Sequence, residues 1–283
     1  MIHFTHFHAP NVAKRYELVN EHAVKKPAAT FKSGPYKKTS VTSMGEFAVF
    51  LKTLQPGDFI TAGVNQNQPS GMCGLGEKDV HRTKETFPFA TGKSGLGIFD
   101  GDNLEELKLN NIDSFAIALE RLIGNADYAL SPSASSFISK PGECGKLRGM
   151  HAFVFVDDAN RIPETLEILH NRAIILGYGY PFITKAGIVL IRSLVDLAMK
   201  TSNQPCYEGG AILAEGLTQD RKISYRQHCD EPRYLNVVPL SLEEDAEFEI
   251  KTKELTDSVA EAAAAIRASW LEEHGKKLAA KGF

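Results

Sequence analysis

Cysteine is scarce: Cys73, Cys144, Cys206 and Cys229 are scattered through 283 residues, with no C-x-x-C pair among them. That spacing excludes a zinc knuckle and a disulfide framework and leaves free thiols in a reducing compartment as the expectation. No apolar run approaches the roughly 20 residues that a membrane helix requires. The first twenty residues hold three histidines, Lys14 and Arg15 in place of the apolar stretch of a secretory signal. The expectation is a cytoplasmic protein with no membrane partner. Strong charge of one sign is missing too, since 32 Lys and Arg against 35 Asp and Glu give a formal net charge of −3. A general nucleic-acid glue and an acidic tail are both disfavoured.

A phosphate loop is absent as well. Ala90-Thr91-Gly92-Lys93-Ser94 ends like a Walker motif, but Phe87 stands where the pattern needs its first glycine, and the expected strand follows the segment instead of preceding it. Lys93, Arg82 and Lys84 are left as phosphate contacts or as ordinary exposed bases. No nucleotide-hydrolysing helicase motif occurs.

What is present begins with bulk: at 43% hydrophobic residues the chain can bury a sizeable core, and one compact unit with appendages is expected. Charge is unevenly distributed. Residues 1–52 carry eight Lys or Arg against three Glu, whereas residues 241–283 carry six against ten Asp or Glu. A basic front segment suits a polyanion or a plain solvated surface. The expected divisions are a basic N-terminal region over 1–90 that forms part of the core, a central core over 91–240, and a C-terminal helical appendage or linker over 241–283.

Residues 1–42 are polar and weakly patterned and read as a surface segment; the run His3, His6, His8, with Phe4 and Phe7 interleaved, is assigned to that surface rather than to a metal. Helical spacing predicts a helix over 44–54, stopped by Pro56-Gly57, then a strand over 58–64 and a loop over 65–76. Residues 94–102, SGLGIFDGD, form an apolar strand that runs into Asp100 and Asp102. A helix over 113–123 with Asp113 as N-cap, a short strand over 127–130 and a Ser-rich loop over 131–147 come next. A strand opens at Gly149-Met150-His151, and a helix over 163–176 has Pro in its first turn. A hairpin about Lys185-Ala186 continues to Asp196, loops and short strands reach Leu240, and strong helix formers fill 256–280.

Three of these places share one design, an apolar strand that presents polar residues at an end: Asp100 with Asp102, His151, and Asp196. Residues two apart in a strand share a face, so Asp100 and Asp102 point at one spot, the oxygen-rich setting that Mg²⁺ or Mn²⁺ prefers. D-G-D after a strand is equally turn chemistry. A histidine opening a strand is commonly structural, and Asp196 also suits the start of a helix made by LVDLAM.

In their order and spacing these residues resemble the archaeo-eukaryotic primase superfamily, especially the primase-polymerases of plasmids, phages and integrative elements. The corresponding segments are FDGD at 99–102, GMHAFVFV from Gly149, and LVD at 194–196, within residues 95–221. Gly149 departs from the pattern, because many members have Ser two before the His; Ser135 or Ser136 of the loop is the candidate to replace it in binding phosphate.

The resemblance implies an α/β (α+β) core of two units, the second a ferredoxin-like or RRM-like sheet, with the active site in the cleft between them. It implies template-directed nucleotidyl transfer on single-stranded DNA from an NTP or dNTP, with Mg²⁺ or Mn²⁺ held by Asp100, Asp102 and Asp196. His151 would face the triphosphate, with Arg148, Arg192 and Ser135 as nucleotide-binding candidates; the two arginines suit surface ion pairs equally well. The basic front would track the template backbone. Many relatives are front modules of primase-helicases, so a helicase partner or domain is an expectation. Two other readings stand: a metal-dependent glycosyltransferase, for which D-x-D alone suffices, and a non-catalytic single-stranded DNA-binding replication protein. A rolling-circle nuclease is weaker, since Met150-His151-Ala152 offers one histidine where two are needed.

Overall fold

Alternation of apolar side chains, where the glycines leave room for it, lays down most of the strands of this chain. The computed structural model describes residues 1–27, 29–77 and 79–279. It begins with β1 (Ile2–His8), β2 (Arg15–Val19), β3 (His22–Lys26) and β4 (Gly34–Val41), then α1 (Met44–Thr53), β5 (Asp58–Thr61) and β6 (Ser70–Cys73). Next come β7 (Gly95–Asp102), α2 (Ile112–Ile123), β8 (Tyr128–Pro132), β9 (Ile138–Ser139), β10 (Gly149–Val156) and α3 (Ile162–Ile175). The chain continues through β11 (Gly179–Ile183), β12 (Val189–Ser193), β13 (Cys206–Tyr207), β14 (Ile212–Leu213), β15 (Thr218–Gln219) and β16 (Ser224–Arg226) to α4 (Leu242–Asp257) and α5 (Ala260–Ala279).

The fold is mixed α+β. A five-stranded sheet has the order β13-β5-β1-β4-β6, a four-stranded sheet the order β16-β8-β10-β7, and a small sheet the order β14-β2-β3. β7 and β10 pair antiparallel along their whole length, with Asp100 opposite His151 and Asp102 opposite Gly149. Gly97 allows this approach, since a Cβ there would lie 2.9 Å from Val154 Cγ2. The two larger sheets share a core in which Phe4 of β1, Phe47 of α1 and Phe153 of β10 are fully buried. The Phe47 and Phe153 rings meet edge to face at 5.0 Å, a geometry that adds to their area burial.

The N-terminal reading needs correcting. Residues 1–42 are not a surface segment: β1 is the central strand of the five-stranded sheet, and Ile2, Phe4 and Phe7 have no exposed surface. The histidines hid this by occupying places that a plain strand gives to apolar residues. Asp58 accommodates two of them, with His8 Nδ1 at 2.5 Å and His6 Nε2 at 3.3 Å from its Oδ1. Residues 1–90 are also woven into the later part of the chain, because β13 pairs with β5 and β14 pairs with β2.

Smaller differences have local causes. The N-cap of α2 is Asn111, not Asp113: its side chain accepts from Ser114 N–H at 2.8 Å, and Ser114 Oγ in turn accepts from Asn111 N–H at 3.3 Å. Asp113 sits in the first turn, where the helix dipole favours it. The loop over 65–76 contains β6, and the Ser-rich loop contains β9. The C-terminal segment holds a second helix, α4, opened by a Ser241–Glu244 capping box. Ala280, the last residue of the helix expected there, lies outside the described residues.

Candidate active site

β7 delivers Asp100 and Asp102 to one face of the four-stranded sheet, and the neighbouring strands add His151 and Ser131 to the same row. Asp196 arrives from elsewhere, after β12, where its Oδ1 accepts from Ala198 N–H at 2.9 Å and caps the 3₁₀ turn Leu197–Lys200. One carboxylate oxygen serves this cap. Asp100, Asp102 and Asp196 line one cavity of about 280 Å³ together with Arg192, His170 and Tyr180. The Arg192 guanidinium lies 4.2 Å from the centre of the Phe182 ring and has no ion-pair partner among the described residues. His170 of α3 is oriented by Val195 C=O at 3.0 Å and Ser193 Oγ at 2.9 Å.

The electrostatics of the carboxylates diverge. Burial opposes ionisation of Asp100, but the charges of His151 and Lys14 outweigh it and hold its pKa below the ordinary carboxylate value. For Asp102, burial and the adjacent Asp100 charge win and hold the carboxyl above that value, with Asp196 acting in the same direction. Asp100 Oδ1 is buried, with His151 Nε2 3.3 Å away. Three carboxylates lining one cavity are the donor type that a hard divalent cation such as Mg²⁺ or Mn²⁺ takes, but among the described residues their oxygens do not all lie within 4.8 Å of one another, so an ion held by all three would have to draw them together.

His151 is only 5% exposed, so it is packed inside the site rather than laid open to a ligand. Its Nδ1 contacts Glu208 Oε1 directly. Glu208 is completely buried; its Oε2 accepts from Ser131 Oγ at 2.5 Å and faces Arg221 Nη2 at 3.3 Å. Arg221 is itself fixed by Pro132 C=O at 2.6 Å and Glu208 C=O at 2.7 Å. Burial works against protonation of His151, while the neighbouring Cys206 sulfur and the Glu208 and Asp100 carboxylates work for it and raise its pKa well above the ordinary value. Sequence reasoning missed Glu208, Arg221 and His170.

His151, Cys206 and Glu208 also form a metal-ligating donor set within 4.8 Å. Its bonds are already taken: the imidazole touches the carboxylate directly, Arg221 shares that carboxylate, and burial pushes the Cys206 thiol up to about 12. A cation there would need bonds of about 2.0–2.3 Å to each donor and a thiolate. The arrangement is a buried hydrogen-bonded ion-pair chain.

Ser135 and Arg148 stand apart from the carboxylate cavity, beside Tyr16. Ser136 is consumed by structure, donating to Gly149 C=O at 2.9 Å and accepting from Arg148 N–H at 3.0 Å. A side chain on Gly149 would place its Cβ 3.1 Å from Ser133 Oγ and 3.2 Å from Asp102 Oδ1, so glycine keeps that corner open. A groove of about 1000 Å³ runs past Glu105, Asp113, Glu143, Lys146, Asp220 and Lys222; it contains none of the three aspartates, and its charges are mixed. No family model matches the chain, and no curated protein or solved structure matches it.

Proposed function

We propose that the protein is a primase-polymerase-like nucleotidyltransferase of the archaeo-eukaryotic primase type, copying single-stranded DNA with Mg²⁺ or Mn²⁺. The observation that carries this reading is the convergence of Asp100, Asp102 and Asp196 on one cavity from separate parts of the chain. A nucleotide-sugar transferase needs only the D-x-D pair, so the place of Asp196 favours nucleotidyl transfer. In this reading the two larger sheets are the two units of the primase core.

A pair of divalent ions, when bound, supplies charge compensation for the attacking 3′-hydroxyl and the leaving pyrophosphate. The chain's own residues do the rest. Asp100, Asp102 and Asp196 hold the ions in place. His151, clamped by Glu208, sets the position of the Asp100 carboxylate. Arg192, stacked on Phe182 and without an ion-pair partner among the described residues, donates to a phosphate oxygen. Exposed Lys32 and Lys37 give salt-dependent, sequence-tolerant contact with a template backbone.

The test is incorporation of labelled NTP and dNTP on a single-stranded template, with and without primer, in Mg²⁺ and in Mn²⁺. Metal-dependent products from the wild type, lost in Asp100→Ala and Asp196→Ala, support the reading. A folded wild type that binds template and yields no product in either metal contradicts it.

A further inference from the structure

β12 ends at Ser193, short of Asp196, so a segment outside any sheet delivers that carboxylate to the cavity. Leu194 and Val195 in this segment have no exposed surface. Leu194 N–H donates to Tyr178 C=O at 3.2 Å, and Val195 N–H donates to Ser193 Oγ at 3.0 Å. The Val195 carbonyl oxygen meets His170 Nδ1 at 3.0 Å and Ser193 Oγ at 3.3 Å. The imidazole of α3 is thus the nearer partner of the last carbonyl before Asp196.

The direction of the His170 bond follows from its partners. A carbonyl oxygen has no hydrogen to give, so the 3.0 Å contact requires the proton on Nδ1, whether the ring is neutral or protonated. Ser193 Oγ, 2.9 Å from the same nitrogen, accepts a share of that proton. His170 is buried on a helix that also buries Leu166, Leu169 and Ala173, so the donor is anchored in the core. Its ring lines the same cavity as Asp100, Asp102 and Asp196. A peptide unit is planar, so the Val195 carbonyl and the Asp196 Cα move as one body. A hydrogen bond on that carbonyl therefore fixes the point from which the Asp196 side chain starts. Without the imidazole, the buried carbonyl would turn toward another donor and take Asp196 with it.

We propose that His170 is a positioning residue for Asp196: through the Val195 carbonyl and Ser193 it holds the backbone from which Asp196 meets a divalent cation shared with Asp100 and Asp102. The cation is taken from the function proposed above; the hydrogen bonds stand without it. Because the carboxylates must be drawn together on the ion, a backbone fixed beforehand leaves less to order when the ion binds. The site then rests on α3 as well as on β7 and the segment after β12.

The experiment measures Mn²⁺ affinity of the full chain by electron paramagnetic resonance in His170→Phe, His170→Asn, Ser193→Ala, Asp196→Asn and the double variant of His170→Phe with Asp196→Asn. Phenylalanine keeps a ring and removes the donor, whereas asparagine puts an amide N–H close to where Nδ1–H stands. Ser193→Ala leaves α3 intact and carries the test if His170→Phe unfolds. The expected result is binding weakened about tenfold in His170→Phe, as for loss of a group that orients a ligand, less in Ser193→Ala, and within about twofold of wild type in His170→Asn. The double variant should bind no more weakly than Asp196→Asn alone, because His170 acts through that carboxylate. Wild-type affinity in both His170→Phe and Ser193→Ala, or losses that add in the double variant, overturns the proposal. A wild type that binds no Mn²⁺ removes the cation from the function proposed above, and exchange of the Ala198 amide, which donates to Asp196 Oδ1, then decides. Faster exchange in His170→Phe and Ser193→Ala, restored in His170→Asn, supports the positioning role; unchanged exchange in all three overturns it.

Discussion

His151 Nε2 lies 3.3 Å from Asp100 Oδ1, in the register where β10 and β7 place the two residues directly opposite each other. The other ring nitrogen is held by Glu208, so the imidazole is pinned between two carboxylates and its charge is directed at one edge of the cavity. Removing Glu208 leaves a half-buried Arg221 and a buried His151 short of a counter-charge. Glu208→Ala is expected to lower unfolding free energy by about 3–5 kcal/mol, the usual cost of breaking a buried pair. Urea denaturation measures it, and a loss below about 1 kcal/mol would contradict the clamp.

Asp58 gives a pH signature of stability. Burial opposes its ionisation, but His6, the Gln55 N–H and His8 outweigh it and hold the folded carboxyl below its ordinary value of 3.8. A depressed carboxylate stabilises the fold above its unfolded pKa and loses that contribution as pH falls through the folded pKa. Between pH 5 and pH 3 the urea midpoint of the wild type should therefore fall more steeply than that of Asp58→Asn. Parallel curves would show that the Asp58 contacts contribute nothing.

The corrected N-terminus makes its own prediction. Phe4→Ala empties a fully buried site and should cost about 3–5 kcal/mol, whereas Val49→Ala, at a residue 62% exposed, should cost well under 1 kcal/mol. Equal costs would return residues 1–42 to the surface.

The thiols should separate into two classes. Cys144 and Cys229 are exposed, while burial lifts Cys73 to about 11 and Cys206 to about 12. At pH 8 a thiol reagent should label two cysteines quickly and the other two only after denaturation. Four fast thiols in the native protein would contradict the buried placement of Cys206 beside His151.

Local signals in the sequence were readable and distant ones were not. β7 and β10 announce themselves as apolar runs that end in polar residues, and α3 as an amphipathic pattern behind a proline. The first two signals singled out Asp100, Asp102 and His151, and the hairpin arm that runs on through IRSLVD singled out Asp196. β1 was obscured because histidines at 3, 6 and 8 interrupt its apolar alternation, and two of them, His6 and His8, meet Asp58, some fifty residues away. α4 has no buried residue, so it had no apolar stripe to read, and its Ser241–Glu244 capping box was the one local mark. Glu208 lies 57 residues from His151 and reaches it from the other sheet. No periodicity encodes a contact between sheets, and a glutamate before two glycines reads as a turn. Arg221 and Ser131 were illegible for the same reason.

Whether Asp100, Asp102 and Asp196 together hold divalent cations can be tested without depending on turnover, by Mn²⁺ binding followed with electron paramagnetic resonance. The expected result is Mn²⁺ binding by the wild type that weakens at least about tenfold in each of Asp100→Asn, Asp102→Asn and Asp196→Asn, as for the loss of one charged ligand. Wild-type Mn²⁺ affinity in Asp196→Asn would contradict the shared site, reducing it to a D-x-D turn with a capping aspartate nearby.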